Sequence, residues 1–247
     1  MNQRVIGVLG GLGPWATLDL FEKMLRLTPA ARDQDHLRII IDNNPKIPDR
    51  SPAILGDGED PVPALVATAR NLERAGAECI VIPCNTAHAF FEPIRAAVGV
   101  PVLHIMDEVA RSAAEEMPGL HAVGVLATRA TIVSGLYHRS FARIGVEVLS
   151  PDPAGQDVVN DAIYGVKAGR TGPEVTRGLV AVSERLVRGG AQALVLGCTE
   201  LPFVLRPGDV PVLLLDSNLI LARAAVREAT QPTQPTQLSA VRGEPVG

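Results

Sequence analysis

The chain has 247 residues, room for two compact α/β lobes or one larger domain. Hydrophobic residues make up 47% and charged residues 20%, which supports a substantial core and excludes global disorder. Aromatics at 3% and a net charge of -4 argue against a base-stacking platform and a phosphate-backbone partner. No apolar run approaches the roughly 18 residues of a membrane span. Met-Asn-Gln-Arg leads directly into Val5-Ile-Gly-Val-Leu9 without a signal-peptide pattern, so the expectation is a cytoplasmic protein with neither membrane nor nucleic acid as partner.

In chain order, short runs rich in Val, Ile and Leu recur at 5–9, 37–41, 79–82, 100–105, 122–126, 146–149, 193–196 and 210–215. They lack polar alternation, as strands covered on both faces do. Stretches of helical period lie between several of them, at 17–27, 63–75, 106–116 and 174–188. Strands alternating with helices predict parallel βαβ units. A last helical stretch covers 218–229, and a Thr-Gln-Pro repeat opens the polar end of the chain.

The two halves resemble each other. Arg70-Asn-Leu-Glu-Arg-Ala-Gly-Ala-Glu-Cys-Ile-Val-Ile-Pro-Cys84 parallels Ser183-Glu-Arg-Leu-Val-Arg-Gly-Gly-Ala-Gln-Ala-Leu-Val-Leu-Gly-Cys198. The spacing from Gly76 to Cys84 equals that from Gly190 to Cys198. Val5-Ile-Gly-Val-Leu parallels Ala122-Val-Gly-Val-Leu-Ala-Thr128, and Val100-Pro-Val-Leu parallels Val210-Pro-Val-Leu. Four matches in one order predict an α/β fold of two pseudo-symmetric lobes. Each is a mostly parallel sheet flanked by helices, with an active site in the cleft between them. The first lobe takes 1–105, with 216–230 packing back onto it, and the second takes 106–215. The tail 231–247 is expected to be mobile.

Three cysteines without a C-x-x-C pair suggest free thiols in a reducing compartment. Cys84 and Cys198 each close a strand. Asn85 and Thr86 are natural cap residues, so a helix is expected to begin there, lowering the thiol pKa and offering N–H groups to a carboxylate. Cys198-Thr199-Glu200 repeats the arrangement. The competing reading, a small residue buried after a strand, explains one such cysteine more readily than a matched pair. Cys79 lies inside its strand with Ala193 at the matching place, and reads as core.

Other chemistries compete. Cys79, Cys84, His88 and Cys198 could be gathered as zinc ligands. Cys79 and Cys84 would, however, face opposite sides of one strand, and His88 reads as orienting or capping. Gly10-Gly-Leu-Gly-Pro-Trp-Ala16 fits a dinucleotide turn, with Asp42 in the place of a ribose-binding acid. Such a turn equally admits a small anion or a closely packed helix. Arg50 and Lys167 are cations suited to carboxylates, or else ordinary surface charges. No pattern around Lys167 supports a pyridoxal Schiff base.

Gly10-Gly-Leu-Gly-Pro14, Ile47-Pro-Asp-Arg50, Pro83-Cys-Asn-Thr-Ala-His88 and Gly197-Cys-Thr-Glu-Leu201 together resemble the aspartate/glutamate racemase family, most of all its aspartate racemase branch. The resemblance spans nearly all of 5–217. It implies interconversion of L- and D-aspartate without any cofactor or metal, in a homodimer. It also implies that Cys84 and Cys198 are the two acid/base thiols. Arg50, Asn85, Thr86, Ala87 and Lys167 would hold the substrate carboxylates, with Thr199 beside them. Trp15 is bulkier than the residue expected after Gly-Pro. Glutamate or a broader amino-acid range is the near alternative. A nicotinamide-dependent oxidoreductase and a non-catalytic amino-acid sensor are more distant ones.

Overall fold

Two parallel sheets are built in the same way, one after the other. The structure is a computed structural model that describes residues 3–231. The tail expected to be mobile therefore lies, beyond Gln231, outside the described residues. The first half runs β1 (Ile6–Gly10), α1 (Pro14–Leu27), β2 (Ile39–Asn43), α2 (Arg50–Leu55), α3 (Val62–Arg74), β3 (Cys79–Val81) and α4 (Phe91–Ala96). Helix α5 (Ile105–Glu116) then leads to β4 (Ala122–Leu126), α6 (Arg129–Val133), α7 (Leu136–Ala142), β5 (Glu147–Leu149), α8 (Pro153–Lys167), α9 (Pro173–Arg188), β6 (Ala193–Leu196), β7 (Leu213–Asp216) and α10 (Ser217–Thr230).

The strand orders are β2-β1-β3 and β5-β4-β6-β7, all pairings parallel. The internal repeat reappears in the registers: Ile6 pairs with Cys79 in the first sheet, and Val123 pairs with Ala193 in the second. The run at 100–105 forms one parallel bridge, Ile80 to Val102, instead of a full strand. Pro101 has no N–H to donate, and the His104 ring accepts the Asp107 amide at 3.4 Å to cap α5. The matching Val-Pro run likewise pairs only from Leu213 onward.

Both faces of each sheet are covered, which is why their strands read as unbroken apolar runs. One core cluster lies between the sheets. It joins Ile6, Val8, Val123 and Val195 to Met106 and Val109 of α5 and Leu221 and Ala225 of α10. Separate clusters cover the outer faces under α3 and under α8 and α9. Helix α10 is fastened to α1 by polar contacts: Asn218 Nδ2 donates to Ala16 O at 3.1 Å, and Lys23 pairs with Asp19 at 2.6 Å and Asp216 at 2.7 Å. Among the described residues, no helix is long and apolar enough to cross a membrane.

Candidate active site

Cys84 and Cys198 follow β3 and β6, and both are buried. A short 3₁₀ turn comes after each, Thr86–Phe90 and Leu201–Phe203, where an α-helix was expected. Asn85 does not cap its turn. Its amide bridges outward instead, donating to Ser217 Oγ at 3.0 Å and accepting from Tyr137 Oη at 2.6 Å. Ser217 in turn donates to Leu196 O at 2.7 Å. The backbone N–H groups of Asn85 and Thr199, directly after each thiol, enter none of the backbone–backbone bonds of the described turns.

The two cysteine turns meet each other. Thr199 Oγ1 donates to Pro83 O at 3.2 Å, so the second-half turn rests on the residue preceding Cys84. Thr86 Oγ1 forms a buried triangle with Thr128 at 3.2 Å and Thr131 at 2.9 Å, and those two hydroxyls lie 2.9 Å apart. Thr128 also caps α6. Sequence reasoning missed this pair, although Thr128 ends the repeated strand motif that starts at Ala122. Ala87 is fully buried and brings no polar side chain.

His88 is a supporting residue here. The Ile105 amide donates to Nε2 at 3.2 Å, which leaves Nδ1–H to donate to Cys84 O at 2.9 Å. Burial, helped by neighbouring His104, lowers its pKa to about 3, so the ring is neutral. Cys79 is buried in β3, and burial pushes its thiol up to about 12. Among the described residues, no group of three or more His, Cys, Asp or Glu is placed to hold a metal ion.

A cavity of 760 Å³ is lined by the glycine turn, Trp15, Ile47, Asp49, Arg50, Lys167, Glu200 and Phe203. Neither cysteine is in its wall, and Glu200, which accepts the Cys198 thiol, connects the two. Arg50 begins α2 and is 6% exposed. Its guanidinium donates to Leu12 O at 2.8 Å, Pro48 O at 3.0 Å and Ile47 O at 3.4 Å. Its Nε is buried without a partner. Lys167 ends α8, with Nζ 5.1 Å from the centre of the Tyr164 ring. Tyr164 Oη donates across the cleft to Asp49 Oδ2 at 3.2 Å.

The charges in this group are interdependent. Burial works against the Lys167 ammonium, but Cys198, Glu200, Cys84 and Asp49 together raise its pKa. One ammonium thus acts electrostatically on both thiols. Cys198 does not carry the lowered pKa expected of it. Burial first, then the Glu200 carboxylate, push the thiol well above its ordinary value, with Lys167 opposing. Its Sγ–H donates to Glu200 Oε2 at 2.9 Å.

The glycine turn serves packing. Gly11 has φ +87, and a side chain there would collide with the Asn44 backbone. A side chain at Gly13 would collide with Glu200 Oε1. A pyrophosphate approaching this turn would therefore meet a carboxylate, which is the reverse of what a dinucleotide site requires. Asp42 is already bonded, accepting from Asn71 Nδ2 at 2.8 Å.

Known proteins share this arrangement of chain. The broad specificity amino-acid racemase RacX of Bacillus subtilis is 31% identical over 228 residues, covering 90% of this chain and 96% of that protein. The solved aspartate racemase of Picrophilus torridus is 30% identical with a TM-score of 0.80, covering 94% of this chain and 96% of its own. An aspartate racemase homologue from Pyrococcus horikoshii is 28% identical with a TM-score of 0.76, covering 94% and 100%. Residues 9–225 match the family described as Asp/Glu/Hydantoin racemase. This chain belongs to that family.

Proposed function

We propose that the protein is a cofactor-independent racemase that interconverts L- and D-aspartate, with Cys84 and Cys198 as opposed acid/base thiols. The observation that carries this reading is the meeting of the two cysteine turns, with Thr199 bonded to Pro83 O, and it is supported by the influence of both thiols on the Lys167 ammonium. One thiolate takes the α-proton from one face of the substrate, and the opposing thiol gives a proton to the other. The reverse reaction exchanges their roles, so the pair titrates as a unit.

A thiol is a much stronger acid than an amino-acid Cα–H, so the developing carbanion needs strong stabilisation. The backbone N–H groups of Asn85 and Thr199, one directly after each thiol, would receive the α-carboxylate, a role supported by their absence from the backbone bonds of the two turns. Thr86 is held by Thr128 and Thr131, and Ala87 lets the chain turn closely beside it. Lys167 supplies positive charge where the carboxylate and thiolate charges accumulate. The unpartnered Arg50 Nε supports a second carboxylate, and the likeness to the Picrophilus aspartate racemase points the same way.

A second reading, a broader amino-acid range, is favoured by the cavity. At 760 Å³, with Trp15, Ile47 and Phe203 in its wall, it exceeds what an aspartate side chain fills. The remaining guanidinium nitrogens of Arg50 are also engaged with carbonyls. The similarity to the Bacillus broad specificity racemase agrees with this reading. Proton NMR in D₂O without added cofactor, first with L-aspartate, then L-glutamate, then uncharged amino acids, decides between them. Loss of the α-proton with appearance of the D-isomer for aspartate alone supports the first reading. Exchange across the panel supports the second. No exchange from any amino acid in folded, reduced protein sinks both.

A further inference from the structure

Glu200 has no role in the proton transfer described above, yet it is 3% exposed and lines the cavity. Its Oε2 accepts the Cys198 thiol at 2.9 Å and lies 3.4 Å from Thr199 Oγ1, whose one proton is shared with the nearer Pro83 O at 3.2 Å, while Oε1 lies against Gly13. The carboxylate is held from three sides and touches both halves of the molecule. Cys84 has no such neighbour at the equivalent place. Two residues beyond it stands Thr86, occupied with hydroxyls, and four beyond stands His88, a neutral ring bonded to the Cys84 carbonyl.

We propose that Glu200 is a positioning residue that keeps Cys198 as the protonated thiol of the resting pair, so that the two thiols are unequal before substrate arrives. This rests on the two-thiol reading above. A carboxylate that accepts S–H stabilises the thiol, and the same negative charge repels the thiolate. The other groups facing Cys198 are Lys167 from α8, which favours its thiolate, and the buried phenol of Tyr137 from α7. Asp49 and Arg50 line the same cavity from the opposite half, and Cys84 shares Lys167 with it. A substrate enantiomer that needs the Cys198 thiolate must select a minority form of the enzyme. Its apparent KM rises by the inverse of that fraction. Because L and D isomers are equally stable, the two kcat/KM values must stay equal, so kcat for that enantiomer rises in step.

The test has two arms. In a Cys84→Ser background, the ultraviolet absorbance of thiolate reports Cys198, since the Cys79 thiol is held at about 12. Glu200→Gln keeps the shape and loses the charge, while Glu200→Asp keeps the charge. The Gln variant is expected to titrate at least one unit lower than its parent, about a tenfold gain in thiolate at fixed pH, and the Asp variant to stay near the parent. In the protein with both active-site cysteines, Gln alone should bring the KM values for the two enantiomers together. Circular dichroism establishes that each variant is folded. Coincident titrations of the parent and the Gln variant would overturn the proposal, and so would lost activity with an unmoved titration, the mark of a merely structural role. If the titration moves but no amino acid exchanges its α-proton, the pairing of Glu200 with Cys198 stands and the racemase reading fails.

Discussion

The turns after Cys84 and Cys198 occupy matching places in two sheets, but their surroundings differ. Cys84 has hydroxyls and a neutral imidazole close by, whereas Cys198 has a carboxylate that raises its pKa and an ammonium that opposes the rise. The repeat accounts for where the sulfurs stand, and the divergence between halves accounts for their charge environment. A two-base racemisation needs the first, because protons must leave and arrive on opposite faces of one carbon. The second, on the proposal above, sets which thiol keeps its proton.

The comparison breaks most decisively at the thiols. Cys84→Ala and Cys198→Ala should each lower racemisation by about 10²–10⁴-fold, the range of a lost acid or base. If the thiols face opposite sides, each variant should still exchange the α-proton of one enantiomer with retention, and the favoured enantiomer should differ between them. Chiral separation after incubation in D₂O measures this. Near-normal racemisation in both variants would end the two-thiol account.

A smaller effect is expected from the shared cation. Lys167→Met should lower kcat/KM by about a hundredfold, in keeping with the loss of a preorganised positive charge. Arg50→Lys should cost about tenfold with aspartate and less with uncharged amino acids, because only Nε lacks a partner. Steady-state rates across the amino-acid panel test both. Equal losses with every substrate would remove Arg50 from side-chain recognition.

His88 sharpens the comparison from the side of stability. It is neutral and buried, with a pKa of about 3 in the folded protein against an ordinary value of 6.5. Below pH 6.5 the unfolded chain takes up a proton that the folded protein refuses until about pH 3. Stability contributed by this ring is therefore complete above pH 6.5 and is lost as the pH falls toward 3. Urea unfolding at several pH values should show this decline, and His88→Gln should flatten it while lowering stability at neutral pH. The second half has Phe203 rather than a titrating ring near its turn, so it adds no comparable slope.

Much of this was legible in the sequence. The strands around β1 and β4, the repeat and the paired cysteines announce themselves through apolar runs and equal spacings. Lys167 and Arg50 were found as cations near proline and glycine punctuation, but their placement on α8 and α2 was not. Helix α8 carries Gly155 and Gly165, which weaken its periodic signal, although Asp152 and Pro153 form a recognisable start. Thr128 and Thr131 escaped notice, and Glu200 was seen in its motif without a role, because each becomes important through a partner more than 30 residues away or through a folded turn. The expected low pKa of Cys198 failed for a related reason. Proximity to the start of a turn was visible, but burial and the position of the Glu200 side chain were not.

Cys79 gives the finest version of the comparison. It pairs with Ile6 as Ala193 pairs with Val123, so the second half already shows alanine at the equivalent register position. Its sulfur makes one weak contact, to Val5 O at 4.0 Å, and burial holds the thiol protonated at about 12. Cys79→Ala should therefore leave racemisation unchanged and cost about 1 kcal/mol, the ordinary consequence of a small loss of core volume. For a chain of this length that corresponds to a fall in Tm of about 2–4 °C. Loss of activity in a folded Cys79→Ala protein would mean that all three thiols share the chemistry, and the equivalence of the two halves would no longer single out Cys84 and Cys198.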